Sequence, residues 1–212
     1  PFVHPARIAY VSATRSREQV LREVSGSFEP SYHKVLDRHL IFHDLSPSYF
    51  SNSPVPAHWS AVPSSILGGA SRPASPDPLS AIADAVEADG ASNLVVVDSL
   101  TDLLVRRGIE TESLLTLVKG LRRRAKDWKG VVYLLLARGV ADSSVEKALY
   151  DSVDGVLNFT WTSSPFQSHR QRAMVIEKFM PVLSRIPAEL LGRFVIRVSA
   201  LNGLVTTQYE RI

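Results

Sequence analysis

The segment Asn93–Ser99, Asn-Leu-Val-Val-Val-Asp-Ser, constrains this chain more than any other. Four consecutive apolar residues, three of them β-branched, run straight into an acid. A strand with one wet face would interleave polar residues. An unbroken apolar run reads as a strand covered on both faces, which is the situation of a central strand in a parallel sheet. A carboxylate at the end of such a strand falls where open α/β sheets bind ligands, in the crevice beyond the carboxyl ends of the strands. The same Asp98 has a plainer use, as a cap for the loop or helix that follows. On this segment alone both readings stand.

Other segments supply a sheet of this kind. Arg7–Ser12 (RIAYVS) and Val131–Ala137 (VVYLLLA) read as further buried strands, and Leu40–Leu45 (LIFHDL) as a short apolar run. Helical signals lie between them. Ser16 and Gln19 have the spacing of a capping box ahead of Val20, Leu21 and Val24, with Gly26 as the stop. Asp77-Pro78 pairs a cap with a proline at the first helical position; Ile82 and Val86 mark the buried side and Gly90 the end. Leu114, Leu117, Val118, Leu121, Ala125 and Trp128 recur at helical spacing across Thr111–Lys129, closed by Gly130. Ser143–Ser152 reads as a short helix. After it, strands follow one another: Val156–Trp161, Arg172–Phe179, Phe194–Val198 and Leu204–Gln208, the last two an antiparallel pair turning at Asn202-Gly203. The expected fold class is α/β, a mostly parallel sheet flanked on both faces by helices, with an antiparallel edge ending in a C-terminal hairpin.

A length of 212 residues fits one such domain, 1–212. Within it, residues 46–78 hold seven of the 13 prolines and many serines, and are predicted to form a Pro/Ser-rich arm or long loop. Tyr49 and Trp59 in that arm are expected to anchor it on an adjacent subunit. No apolar run approaches the ~18 residues of a membrane helix. The absence of cysteine excludes disulfides, thiolate metal sites and cysteine catalysis, and suits a reducing cytoplasm. Pro1–His4 shows no signal-peptide pattern. Net charge is only +3. The basic residues Lys119, Arg122, Arg123, Arg124, Lys126 and Lys129 form either a solvated helix face opposite the Leu/Val stripe or a contact for nucleic acid or an acidic partner. His39 and His43 would meet only on a helix, and their segment reads as a strand start, so no metal site is expected of them.

Taken in order, YVS (Tyr10–Ser12), VVVDSLTDLL (Val95–Leu104), VVYLLLARG (Val131–Gly139), DSVDGVLNF (Asp151–Phe159), RAMVIEKF (Arg172–Phe179) and FVIRVSALNGLV (Phe194–Val205) resemble the RecA-like core of KaiC-like ATPases. The resemblance, which extends to archaeal relatives of the HTR-like and gas-vesicle-regulator types, runs from about Arg7 to the C-terminus. It implies an ATP-binding regulatory protein with ATP and Mg²⁺ as cofactors. Asp98 takes the Walker B role, holding Mg²⁺ through water, with Ser99 and Thr101 at the edge of the site. Lys178 matches the basic residue that reaches the γ-phosphate of a neighbouring subunit and stabilises charge on the transferring group. Self-association, or assembly with a related subunit, follows from the same resemblance.

Three departures bear on activity. The 212 residues contain no G-x-x-x-x-G-K-[ST] and no Gly-Lys pair. In the family that loop precedes the strand beginning here near Arg7, so the expectation is that it lies upstream of Pro1 or is missing. Where the family commonly has paired glutamates, one activating the attacking water, Thr14-Arg15 stands, and neither is a general base at neutral pH. Two residues past Lys178, Met180 replaces a common arginine. The expectation is therefore ATP binding with weak or no hydrolysis. Two alternatives accompany it: a nucleotide-free pseudo-ATPase acting as an assembly or interaction module, and a DNA-binding recombinase paralogue contacting nucleic acid through Arg122, Arg123 and Arg124.

Overall fold

A computed structural model of the chain describes residues 6–51, 53–60, 77–91, 93–163, 170–179 and 193–210. Strands β1 (Ile8–Ser12), β2 (Leu40–Asp44), β3 (Leu94–Asp98) and β4 (Val131–Leu134) form a fully parallel sheet in the order β2-β1-β3-β4. From β1 the chain crosses to one side for β2 and then returns to the other side for β3. The switch in direction falls between β1 and β3, and their register pairs Ser12 with Asp98. In sheets of this kind that position opens a crevice at the strand ends.

Alternation along the strands explains what covers each face. Ala9 and Val11 pair with Val95 and Val97, and all four are almost fully buried. They meet α5 (Pro78–Asp89), α6 (Leu100–Val105), α7 (Thr111–Trp128) and α8 (Ser143–Ser152) through Ile82, Val86, Leu103, Leu114, Val118 and Leu149 in one cluster. The opposite face carries Ile8 and Tyr10. Ile8 lines a cleft with Val24 and Phe28, at the end of α1 (Arg17–Ser27), and with Tyr32 and Leu36 of α2 (Pro30–His39). Helices thus flank both faces, as the apolar runs imply.

The local signals act as expected at most helix ends. Ser16 Oγ accepts from the Gln19 N–H (3.3 Å) while Gln19 Oε1 accepts from the Ser16 N–H (2.8 Å), closing the capping box of α1. Its last residue is Ser27, one past Gly26. Asp77 accepts from the backbone N–H groups of Leu79 and Ser80 and starts α5. Helix α2 is an element the sequence reading missed: Pro30 at its first turn and Arg38-His39 in its last suit the helix dipole, and Tyr32, Val35 and Leu36 recur at helical spacing, but none of its residues is buried. Helix α7 closes on Lys129, which takes the left-handed conformation (φ 56°), not on Gly130. Gly130 instead lies close against the backbone, where an added Cβ would stand 3.6 Å from the Asn93 carbonyl oxygen.

Two expectations need correcting. Strand β4 is not covered on both faces: Val131 and Tyr133 are exposed and Leu135 beyond it is too, because β4 is the edge strand of the parallel sheet. The later strands do not add an antiparallel edge to it. Strands β5 (Gly155–Ser163), β6 (Arg170–Phe179), β7 (Arg193–Ser199) and β8 (Gly203–Glu210) form a four-stranded antiparallel sheet of their own, in sequence order. Consecutive antiparallel strands close their ladders with their neighbours in sequence, which needs no crossover. The β7–β8 pair turns where Asn202-Gly203 predicts, with Gly203 at φ 66°.

The described part of the Pro/Ser-rich segment has structure of its own. Two short helical turns, α3 (Ser46–Tyr49) and α4 (Ala57–Ser60), open it, and Ser46 and Ser48 are buried. Arg106, just after α6, donates to the carbonyl oxygens of Tyr49 (2.8 Å), Ser48 (3.3 Å) and Ser51 (3.3 Å). Residues 61–76, which include Gly68-Gly69, lie outside the described residues.

Candidate functional site

The crevice beyond β1 and β3 is built from the turn that follows β1. The Ala13 N–H donates to the Asp98 carbonyl (2.9 Å), prolonging the β1–β3 ladder by one bond. Ser12, fully buried, accepts at its hydroxyl from the Arg15 N–H (2.9 Å), a local turn that folds residues 13–15 back over the strand ends. Tyr10 and Asp98 lie on one face of the sheet, since Tyr10 pairs with Val96 and Asp98 is two residues further on.

These constraints bring three side chains together. The Tyr10 hydroxyl and the Arg15 guanidinium both donate to Asp98 Oδ2, and Arg15 Nη2 also donates to the Tyr10 oxygen (2.8 Å). The other guanidinium nitrogen, Nη1, meets Glu23 Oε2 on α1 at 2.6 Å. The Asp98 side chain is 14% exposed and that of Arg15 35%. Burial, reinforced by the Asp98 carboxylate, pushes the Tyr10 phenol well above its ordinary range, so it stays protonated and donates. Burial works against the charge on Arg15, but its bonds to Asp98 and Glu23 outweigh that and hold it as a cation. The peptide between Asp98 and Ser99 is cis.

The remaining site candidates are engaged elsewhere. Ser99 caps α6: its hydroxyl accepts from the Asp102 N–H (3.2 Å) and donates to Asp102 Oδ2 (2.8 Å). Thr101 Oγ1 accepts from the Ala137 N–H (2.8 Å), which ties the chain beyond β4 to α6. Lys178 belongs to β6, in the other sheet, and its ammonium donates to the carbonyl oxygens of Tyr150 and Asp151 (3.0 Å each) in the last turn of α8. The structure therefore places Asp98, Ser99 and Thr101 in one run at the carboxyl end of β3, but joins neither Ser99 nor Thr101 to the Asp98 carboxylate, and leaves Lys178 on a separate element. Met180 lies outside the described residues. The residue missed in the sequence is Arg15 as a partner of Asp98. It was visible only as the wrong residue for a general base, since its contact spans 83 positions.

Mg²⁺ does not fit this arrangement. A water-bridged divalent ion needs a carboxylate with charge to spare, and the single charge of Asp98 is already met by Arg15. A divalent ion ~5 Å from a guanidinium meets a repulsion on the order of several kcal/mol even at an effective dielectric of about 20. Of the nearby acids, Glu23 is paired with Arg15, and neither Asp102, bonded to the Ser99 hydroxyl (2.8 Å), nor Asp44, across from Ser12 on β2 and bonded to the Ser46 N–H (2.8 Å), is grouped with Asp98 to hold a metal. Among the described residues no group of three or more His, Cys, Asp or Glu is placed to hold a metal.

Half of the basic residues on α7 and its C-cap, Lys129, are ion-paired. Arg122 and Lys126 both reach Asp154 Oδ1 (2.8 and 3.1 Å). Arg124 bonds Glu87 of α5 through two nitrogens (2.8 and 2.5 Å) and lies over the Trp128 ring. Arg123 is exposed. In the arm, Tyr49 is not a free aromatic: its hydroxyl donates to the Asp102 carbonyl (3.2 Å), whereas Trp59 is 72% exposed. Among the described residues no helix is long and apolar enough to cross a membrane.

A parallel sheet with a carboxylate at its switch point, helices on both faces and a trailing antiparallel sheet is the architecture of a RecA-type domain. Its backbone superposes on KaiC-like proteins. A KaiC-like protein from the hyperthermophilic archaeon Pyrococcus horikoshii matches with a TM-score of 0.62 and 18% identity, over 95% of this chain and 76% of that one. The flagellar accessory protein FlaH from Methanocaldococcus jannaschii matches with a TM-score of 0.59 and 11% identity, over 96% and 77% of the two chains. No family model and no curated protein matches the sequence. The fold is therefore the KaiC-like, RecA-type fold, and the likeness extends to the fold alone.

Proposed function

We propose that this chain is a pseudo-ATPase: a KaiC-like domain that works by assembling with itself or a related subunit and does not hydrolyse ATP at an appreciable rate. The observation that carries this reading is the ion pair between Arg15 and Asp98. The carboxylate that would organise Mg²⁺ in a working site is neutralised by an internal cation, and that cation stands where a water-activating acid would be needed. Regulation or scaffolding through protein contacts is then the use left to the fold.

A second reading, an ATP-binding regulatory protein without rapid hydrolysis, is favoured by the position of the Tyr10–Arg15–Asp98 group at the switch point, where such sheets take ligands. Nucleic-acid binding through Arg122, Arg123 and Arg124 is the weaker proposal, because two of the three guanidiniums are bound to acids of the same chain. Calorimetric titration with ATP, with and without Mg²⁺, on this chain and on the complete gene product separates the first two. The expected result is no heat of binding and no ADP production from either. Binding without turnover supports the second reading, and steady ADP production overturns both.

A further inference from the structure

We infer that Arg15 is a built-in replacement for the divalent cation at Asp98: the guanidinium occupies the carboxylate from within the chain, and the site is metal-independent. The inference deepens the pseudo-ATPase reading and rests on the same ion pair, but its test reads metal without nucleotide, so its failure is distinguishable from a failure seen as ATP turnover.

Three features make Arg15 a fixed part of the site and not a passing surface partner. Its backbone is pinned by the Ser12 hydroxyl (2.9 Å), and Ser12 is fully buried directly across from Asp98. Its side chain is held at both ends, by Glu23 on α1 (2.6 Å) and by Tyr10 (2.8 Å), so the guanidinium cannot leave Asp98 without breaking contacts to two further groups. The arrangement also balances chemically. A guanidinium brings one positive charge and a rigid set of donors to a carboxylate, and a protonated tyrosine supplies a second donor to the same oxygen. A hydrated divalent ion would offer the carboxylate the same two things, positive charge and water O–H donors. The two occupants exclude each other by charge.

The test uses Mn²⁺ alone, without nucleotide, read by electron paramagnetic resonance and by melting temperature. The wild-type chain is expected to bind Mn²⁺ no better than Asp98→Asn. Arg15→Gln removes the cation but keeps hydrogen-bonding capacity; it is expected to gain a saturable Mn²⁺ site, tighter by on the order of tenfold or more. That site should vanish in the double variant Arg15→Gln/Asp98→Asn. Arg15→Lys, which keeps a charge, should resemble wild type. A wild-type Mn²⁺ site lost on Asp98→Asn would sink the inference, as would equal Mn²⁺ binding by Arg15→Gln and the double variant. The wild-type comparison does not depend on any Arg15 variant folding: a melting temperature raised by Mn²⁺ in wild type and not in Asp98→Asn overturns the proposal by itself.

Discussion

Asp154 gathers Arg122 and Lys126 of α7 onto one carboxylate oxygen (2.8 and 3.1 Å). Burial alone would raise its pKa, but the bonds to Lys126 and Arg122 outweigh this and hold it below the ordinary carboxylate range. A folded-state pKa below the unfolded one means stabilisation that is complete above the unfolded value, ~4, and is lost as pH falls through the folded value. All three side chains are a third or more exposed, so solvent and salt limit the contribution to about 0.5–1 kcal/mol. Asp154→Asn is expected to lower stability to urea by that amount at neutral pH, and the difference from wild type should close as the pH is taken below ~4. A difference independent of pH would show that these contacts contribute through packing and not through charge. This pairing engages Arg122, as Glu87 engages Arg124, and leaves Arg123 the exposed member of the three-arginine run.

The end of α5 passes close against the end of α7 at Gly90 and Trp128. Gly90 closes α5 in an ordinary right-handed conformation, φ −76°, so nothing in its backbone requires glycine. Space does. A Cβ on residue 90 would stand 2.2 Å from the Trp128 ring and 2.4 Å from the Val86 carbonyl oxygen. Helix propensity favours alanine over glycine by roughly 1 kcal/mol, but forcing a methyl group into a filled contact costs about 1–3 kcal/mol. The clash is backed by backbone on one side, which puts the steric cost in the upper part of that range: Gly90→Ala is expected to destabilise, by up to roughly 2 kcal/mol net. Equilibrium unfolding checks the sign, and a more stable variant would mean that Trp128 swings aside at little cost.

The two sheets are linked at one end by the bonds of Lys178 to the end of α8 and at the other through the α1–α2 connection. The Glu29 N–H donates to the Ala200 carbonyl (3.1 Å) and the Tyr32 hydroxyl to the Leu201 carbonyl (2.8 Å), so the α1–α2 connection holds the β7–β8 turn. Because Leu201 is exposed, water can take over the acceptor, and the bond to Tyr32 is worth at most about 1 kcal/mol. Tyr32→Phe should therefore leave global stability nearly unchanged while speeding hydrogen exchange in the turn at Asn202 and Gly203, by up to roughly fivefold. Unaltered exchange there would show that the hairpin's own ladder holds the turn without α2.

Much of this architecture is written in short-range signals. The Ser16/Gln19 capping box, the Asp77-Pro78 start, the heptad-like stripe of α7 and the Asn202-Gly203 turn are local events, decided by groups three or four residues apart, and the structure repeats them. The apolar run of β3 likewise announces a central strand with Asp98 at its carboxyl end. What composition and spacing could not carry is which strands pair and what faces Asp98. An apolar run reads the same at an edge as at a centre, so β4 looked covered, and strands in a row do not say whether they extend one sheet or build a second. Helix α2 carries only a short apolar stripe, Tyr32, Val35 and Leu36, and buries none of its residues, so its trace in the sequence is slight. The contact between Arg15 and Asp98 arises because the β1–β3 register sets Ser12 beside Asp98 and the Ser12 hydroxyl then turns the chain back on itself. The sequence shows an arginine where an acid was expected; only the packed sheet brings its charge onto the carboxylate, because a Coulomb contact depends on distance in space and not along the chain.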